Sequence, residues 1–184
     1  MYFFTADEHY GHANVIGFND RPFADIEEMD EALIDNHNSI VKKGDRVIHA
    51  GDFCWYKRYY DKNPNHKDVS SYINRLNGTH VFLKGSHDYW MPRNKSIQIW
   101  EKMIDGHYLV VCHYAMHTWA RSHFNSWHLY AHSHKDLKLS GKRHCISVEN
   151  TNYFPLSFDQ VKEVMVDRSN NPNFIKPEDR NNAK

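Results

Sequence analysis

Five short segments carry carboxylate and imidazole side chains at a spacing that suits a pair of divalent cations. They are Asp7-Glu8-His9, Gly51-Asp52, Gly85-Ser86-His87-Asp88, His113 and His132-Ser133-His134. Each stands at or just after a short apolar, β-branched or aromatic run. Strands ending at one edge of a sheet would bring all five together, at the place where α/β sheets bind ligands. In Asp7-x-His9 and His132-x-His134, alternation along an extended segment puts both ligands on one side, and Gly51 lets the backbone turn sharply before Asp52. A carboxylate can bridge two ions while imidazoles fill the outer positions. Mixed oxygen and nitrogen donors suit Mn²⁺, Fe or Zn²⁺ better than Mg²⁺ or Ca²⁺. Two such ions about 3.5–4 Å apart can hold a hydroxide and clamp a phosphoryl group, so the expected chemistry is metal-assisted hydrolysis.

The elements that must position these residues read as β-α-β-α-β followed by several strands. Tyr2–Thr5 is a short apolar strand, and Ile26, Met29, Leu33, His37 and Ile40 fall at helical spacing behind an Asp25/Glu28 capping box. Arg46–Ala50 reads as a second strand, Val69 to Leu76 as a helix closed by Asn77-Gly78, and His80–Leu83 as a third strand. Ile97, Trp100, Met103 and Ile104 suggest another short helix. Strands are expected over 108–112, 127–131 and 144–148, and a last helix after Ser157 with an S-x-x-Q cap. The order suits an α/β (α+β layered) fold, a β-sandwich flanked by helices. Residues 1–166 form the expected domain. Residues 167–184 are polar, lack an apolar period, and read as a mobile or loosely docked tail.

Composition narrows the partners. The 184 residues are 40% hydrophobic and 14% aromatic, enough for one layered core. Lys+Arg and Asp+Glu balance at 23 each, which gives no global argument for nucleic-acid or membrane attraction. No apolar run approaches the ~18 residues of a membrane span. Cys54, Cys112 and Cys145 form no C-x-x-C pair and read as reduced thiols. With a ligand already at Asp7 there is no room for a signal peptide, so a cytoplasmic protein is expected.

As an ordered set the five segments resemble the calcineurin-like metallophosphoesterases, whose motifs are Asp-x-His, Gly-Asp, Gly-Asn-His-Asp, a strand-end His and Gly-His-x-His. The resemblance spans about Tyr2 to Leu156 and is greatest to the small, cap-less bacterial and phage members. It implies that Asp7, His9 and His134 bind one metal, His113 and His132 the other, and that Asp52 bridges them. It further implies that His87 touches the phosphate and assists the leaving oxygen, with Asp88 holding the His87 tautomer. Two departures stand out: Ser86 replaces the Asn whose side-chain oxygen binds the second metal, and Ala131 replaces the usual Gly. Ser is the shorter and poorer ligand, so the second metal should bind more weakly.

Further residues bear on the substrate. Phe53 to Tyr60 interleaves aromatics with Lys57 and Arg58, which suits a nucleobase near phosphates or, equally, local packing. Trp55, His12, Arg121 and His123 are candidate substrate contacts, and Asn14 could also line the site. After Gly51-Asp52 the Arg of protein phosphatases in this superfamily is missing. That favours small phosphodiesters, including nucleotides, over phosphoproteins. The rival reading is a metal- or nucleotide-binding module without turnover, weakened by Ser86. The H-x-H-x-D-H of metallo-β-lactamases is absent, and amidohydrolase barrels need about 250 residues. A structural zinc staple would be richer in Cys.

Overall fold

The computed structural model describes residues 1–55, 68–92, 94 and 96–182. Among the described residues, eight strands form two four-stranded mixed sheets. The first runs β3 (Thr79–Phe82), β2 (Arg46–His49), β1 (Tyr2–Thr5), β8 (Leu156–Ser157); β1, β2 and β3 are parallel and β8 is antiparallel to β1. The second runs β4 (Ile99–Ile104), β5 (His107–Cys112), β6 (Trp127–Tyr130), β7 (Arg143–Cys145), with β5, β6 and β7 parallel and β4 antiparallel. The expected layered α/β class is what the chain adopts.

Period-2 alternation assigns the faces. Phe4 and Ile48 meet Leu109, Val111 and Leu129 in the core between the sheets, where Phe158, Val161 and Met165 of α4 (Phe158–Asp167) also pack. Their neighbours Phe3 and Val47 face outward. The outer layer holds α2 (Ile26–Ile40), whose Met29, Leu33 and Ile34 pack with Tyr10, Phe53 and Tyr72. Asp25 accepts from the Glu28 amide at 2.8 Å and starts α2, and Ser157 with Gln160 completes the capping box of α4. Two further short helices are α1 (Asn14–Phe18), which the periodicity did not suggest, and α3 (Val69–Ile73), shorter than expected.

Two expectations are corrected. Trp100, Met103 and Ile104 lie in strand β4, paired residue for residue with β5 through an Asp105-Gly106 turn with φ of 46° and 81°, while Ile97, just before it, bridges to Leu83. Asp-Gly in a two-residue loop favours positive φ at both positions, which is the hairpin signal that overrides the helical spacing. The mobile reading of the stretch after Asp167 does not hold at Asn171, which is buried, donating from Nδ2 to Ser122 O and Ser126 O at 2.9 Å each and accepting from the Lys142 amide at 2.7 Å. A side-chain amide can pair with backbone in place of a strand, and no apolar period records it.

Because β1, β2 and β3 share one direction, their carboxyl ends leave the first sheet at one edge. The same holds for β5, β6 and β7 in the second. A parallel bridge, Ala6 to Ser147, joins the two edges. Residues 6–9, 50–52, 83–88, 113, 131–134 and 146–149 therefore gather along one seam. No helix among the described residues is long and apolar enough to cross a membrane.

Candidate metal centre

The seam holds two groups of three residues that could each hold a metal ion: Asp7, His9 and His134, and Asp52, His113 and His132, the candidate ligand atoms of each group lying within 4.8 Å of one another. Asp52 stands between them, its Oδ2 3.8 Å from His9 Nε2 and 3.4 Å from His113 Nε2. The rings of His9 and His134 stack at 5.3 Å, and those of His113 and His132 lie edge to face at 5.0 Å.

The backbone that presents these groups is not extended. Asp7, His9, Asp52, His132 and His134 have φ of 57°, 55°, 54°, 68° and 53°. Non-glycine residues enter this left-handed region at a cost and persist there only when surrounding contacts demand it. The expected alternation of an extended D-x-H is thus replaced by left-handed turns. These still set Asp7 and His9 together, while Glu8 meets His49 Nδ1 at 2.6 Å. Ala131 is not among the positive-φ residues and is buried. The glycines at the seam are required by space: a Cβ on Gly51 would come within 2.6 Å of Gly85 N, and one on Gly85 within 2.2 Å of Asp52 Oδ1.

Hydrogen bonds fix the imidazoles. His113 Nδ1 donates to Ala50 O at 2.9 Å, leaving Nε2 to face Asp52. His134 Nδ1 donates to Glu149 Oε1 at 2.8 Å. Glu149 in turn receives Arg21 NH2 at 2.6 Å, and that buried guanidinium also donates to Asp7 O at 2.6 Å and Glu8 O at 2.9 Å. Asp7 Oδ2 accepts from the His132 amide at 2.9 Å and from Ser147 Oγ at 2.5 Å.

Protonation follows from these contacts. Burial pushes the Asp7 carboxyl up to about 6. Burial acts the same way on Asp52, but His113, His9 and the His87 amide outweigh it and hold that carboxyl well below the usual range. Burial lowers His9 far below an ordinary imidazole. For His113 and His134 burial is overcome by Asp52 and by Glu149 respectively, and both are raised.

A divalent pair fits this set. Asp7 Oδ1, both His9 ring nitrogens and His113 Nε2 are buried without a hydrogen-bond partner among the described residues. Such buried orphans are costly, and a cation at each group would satisfy Asp7 Oδ1, one His9 nitrogen and His113 Nε2. Mixed carboxylate and imidazole donors are also what borderline transition ions take.

Around this centre the other expected residues divide. His87 sits beside it, its ring 5.4 Å from His9. Trp55 stacks face to face on His12 at 4.1 Å and lies 4.9 Å from His87, so both flank the centre. Tyr114, 47% exposed, packs its edge on His113 and His132 from the other side. Asn14 is exposed at the start of α1. Phe53 and Cys54 are core residues, as the packing reading of that loop has it, while Tyr56 to Tyr60 lie outside the described residues.

Two roles are corrected. Asp88 does not face the His87 ring: its carboxylate accepts from the amides of Asp52, Gly85 and Phe53 at 2.7, 2.8 and 3.0 Å and from Trp90 Nε1 at 2.9 Å. It is spent on shaping the two loops. Ser86, by contrast, stands at the centre, its Oγ donating to Asp52 Oδ2 at 2.9 Å. Arg121 and His123 are remote. Since β5 and β6 are parallel, the connection must carry the chain back from His113 to the amino edge at Trp127. Its late residues lie there, with Arg121 4.6 Å over the Tyr108 ring. Glu149, Ser147 and Arg21 are the contributors that spacing missed. Ser147 and Glu149 follow β7 at the edge where His113 and His132 follow β5 and β6, and that shared register was the available signal; Arg21 carried none.

No family model matches the chain. It is 28% identical over 170 residues to an uncharacterized protein of Methanocaldococcus jannaschii, covering 89% of this chain and 90% of that one. A crystal structure of a protein of unknown function from Aquifex aeolicus shares the fold, with TM-score 0.62 and 21% identity over 89% of this chain and 98% of that one. A Vps29 mutant from Entamoeba histolytica aligns with TM-score 0.44 and 14% identity, over 79% of this chain and 72% of that one.

Proposed function

We propose that the chain is a metal-dependent phosphoesterase of the calcineurin-like type, acting on small phosphodiesters, nucleotide-like ones included. The observation that carries the reading is Asp52 Oδ2 facing both His9 and His113, with one three-ligand group on either side. Asp7, His9 and His134 would hold one ion and His113 and His132 the second, with Asp52 shared. Mn, Fe or Zn ions suit these donors. When bound, such a pair supplies Lewis acidity to phosphoryl oxygens and an activated water.

The chain's own groups supply the rest. The His113 and His134 tautomers are set by Ala50 O and Glu149, so neither ring must turn to present its ligand nitrogen. His87, half-buried beside His9, is placed to donate a proton to the leaving oxygen. The paired rings of His12 and Trp55 offer a face to a planar substituent on the phosphate. Arg21 is committed to the Asp7 and Glu8 carbonyls and to Glu149, and Arg121 is at the far edge, so neither is spare to grip the extra charge of a monoester. That supports the diester preference.

The test is hydrolysis of bis-p-nitrophenyl phosphate with Mn²⁺ against a chelated control, beside p-nitrophenyl phosphate. Chelator-sensitive turnover with the diester preferred is expected; a strong monoester preference sinks the substrate reading. The Ser86 hydroxyl, spent on Asp52, favours one second reading, a metal- or nucleotide-binding module with little turnover. Metal bound with no hydrolysis of either ester would select it.

A further inference from the structure

At the amino edge of the second sheet, the β4–β5 hairpin, the end of the β5–β6 connection and α4 enclose a cleft of about 690 Å³. That lies within the ~300–1,000 Å³ typical of small-ligand sites. His107, Tyr108 and Trp127 supply ring surface to it and Arg121, Lys142 and Lys162 supply charge, while among the described residues no carboxylate lines it.

The three cations are not equivalent. Lys162 is paired with Asp159 at 2.7 Å. Lys142 Nζ donates to Met165 O and Arg168 O at 2.6 Å each, closing the end of α4, and keeps one of its three N–H groups. The Arg121 guanidinium rests on the Tyr108 ring and has no carboxylate partner among the described residues. A planar guanidinium with its donors unspent is suited to a phosphate or carboxylate. Beside it the His107 ring lies on the Trp127 indole, 3.9 Å between centroids and 22° from parallel, which holds an aromatic platform in place.

The wall carrying Arg121 is held firmly. Arg121 and Asn125 have φ of 58° and 67°. Asn125 is tied by Nδ2 to Asn170 Oδ1 at 2.7 Å and by Oδ1 to the Asn171 amide at 2.9 Å. The docked residues 170–171 thereby set the direction of the Arg121 loop.

We propose that this cleft is a second ligand site, for a planar anion of nucleoside-monophosphate size. The ring packs at the His107–Trp127 wall, and the phosphate meets Arg121 and the remaining N–H of Lys142. The cleft does not share the metal centre: Tyr108 and His113 are five residues apart along β5, about 17 Å at the rise of a strand. Occupancy is therefore independent of the phosphoesterase reading.

The experiment is calorimetric titration of the whole chain with adenosine monophosphate in excess EDTA, with adenosine and inorganic phosphate titrated separately. Saturable one-to-one binding of the monophosphate is expected, with each fragment at least tenfold weaker. Arg121→Gln should weaken it at least fivefold at an unchanged melting temperature. His107→Ala should weaken the nucleotide but not inorganic phosphate, and His9→Ala should alter neither. Absence of saturable binding, indifference to Arg121→Gln, or loss in His9→Ala would each overturn the site. Should a variant fail to fold, amide and indole shift mapping of the wild-type chain decides, with shifts required at Arg121 and Trp127 rather than at His87. Because EDTA strips the metal centre, a negative result here leaves hydrolysis of the diester ester untouched, and the reverse holds too.

Discussion

His134 Nδ1 donates to Glu149 Oε1 across 2.8 Å, and the same carboxylate oxygen receives Arg21 Nε and NH2 at 2.9 and 2.6 Å. One buried ion pair thus orients a ligand and, through Arg21, pins the carbonyls of Asp7 and Glu8. Partners of this kind typically carry 10–100-fold in metal affinity. Glu149→Gln is expected to weaken Mn²⁺ binding at the Asp7/His9/His134 group by about that factor, read by calorimetry. Unchanged affinity would mean that His134 is oriented by something else.

Ser86 is spent on Asp52. Ser86→Asn removes that hydroxyl donor and places an amide oxygen near the His113/His132 group. We expect the weaker Mn²⁺ affinity to rise about tenfold, roughly 1.4 kcal/mol, with turnover of bis-p-nitrophenyl phosphate rising at sub-saturating metal. Equal and tight affinity at both groups in the wild-type chain would contradict this account.

Asp88 and His87 are neighbours with separable duties. Removing the Asp88 carboxylate leaves the buried amides of Asp52, Phe53 and Gly85 without an acceptor, at ~1–3 kcal/mol for each such group. Asp88→Ala should therefore lower the melting temperature by several degrees or abolish folding. His87→Ala should leave melting nearly unchanged and lower kcat. Equal melting temperatures in both variants would return Asp88 to the chemistry.

Metal binding should be coupled to pH. Burial raises Asp7 to about 6, and the Asp52 and Glu149 carboxylates raise His113 and His134 against the effect of burial. Each must lose its proton to act as a ligand, so affinity should climb as pH rises through 6 and 7, with protons released on binding. Titration in buffers of different ionisation enthalpy would detect that release; a pH-independent affinity would refute it.

Acid should weaken the fold through His128. This fully buried ring accepts the Met116 amide at Nε2 (3.1 Å) and donates from Nδ1 to Val110 O (3.0 Å), so only the neutral form fits. Burial lowers it from 6.5 to about 4. Between those values the unfolded chain holds the extra proton, so stability is present above pH 6.5 and is lost as pH falls toward 4. Thermal melts from pH 7 to 4 should show the decline, and His128→Gln should lessen it, the remainder coming from His37, His49 and His80, which burial lowers in the same way.

The candidate ligand residues and their order were legible in the sequence alone, because strand ends and the residues that follow them are local patterns. So were the caps of α2 and α4, each a contact across three residues. Spacing misled over 97–104, where Asp105-Gly106 and pairing with β5 outweighed a helical period. Which face each left-handed residue turns to was settled by long-range contacts, since φ at Asp7 or His134 is imposed by Gly51 O, Glu149 and other distant groups. Such contacts also settled that Asp88 serves backbone amides, and that Arg121 stands at the far edge of the second sheet. The direction of a crossover depends on the pairing of strands 18 residues apart in register, Leu109 with Trp127, and no local pattern records that pairing.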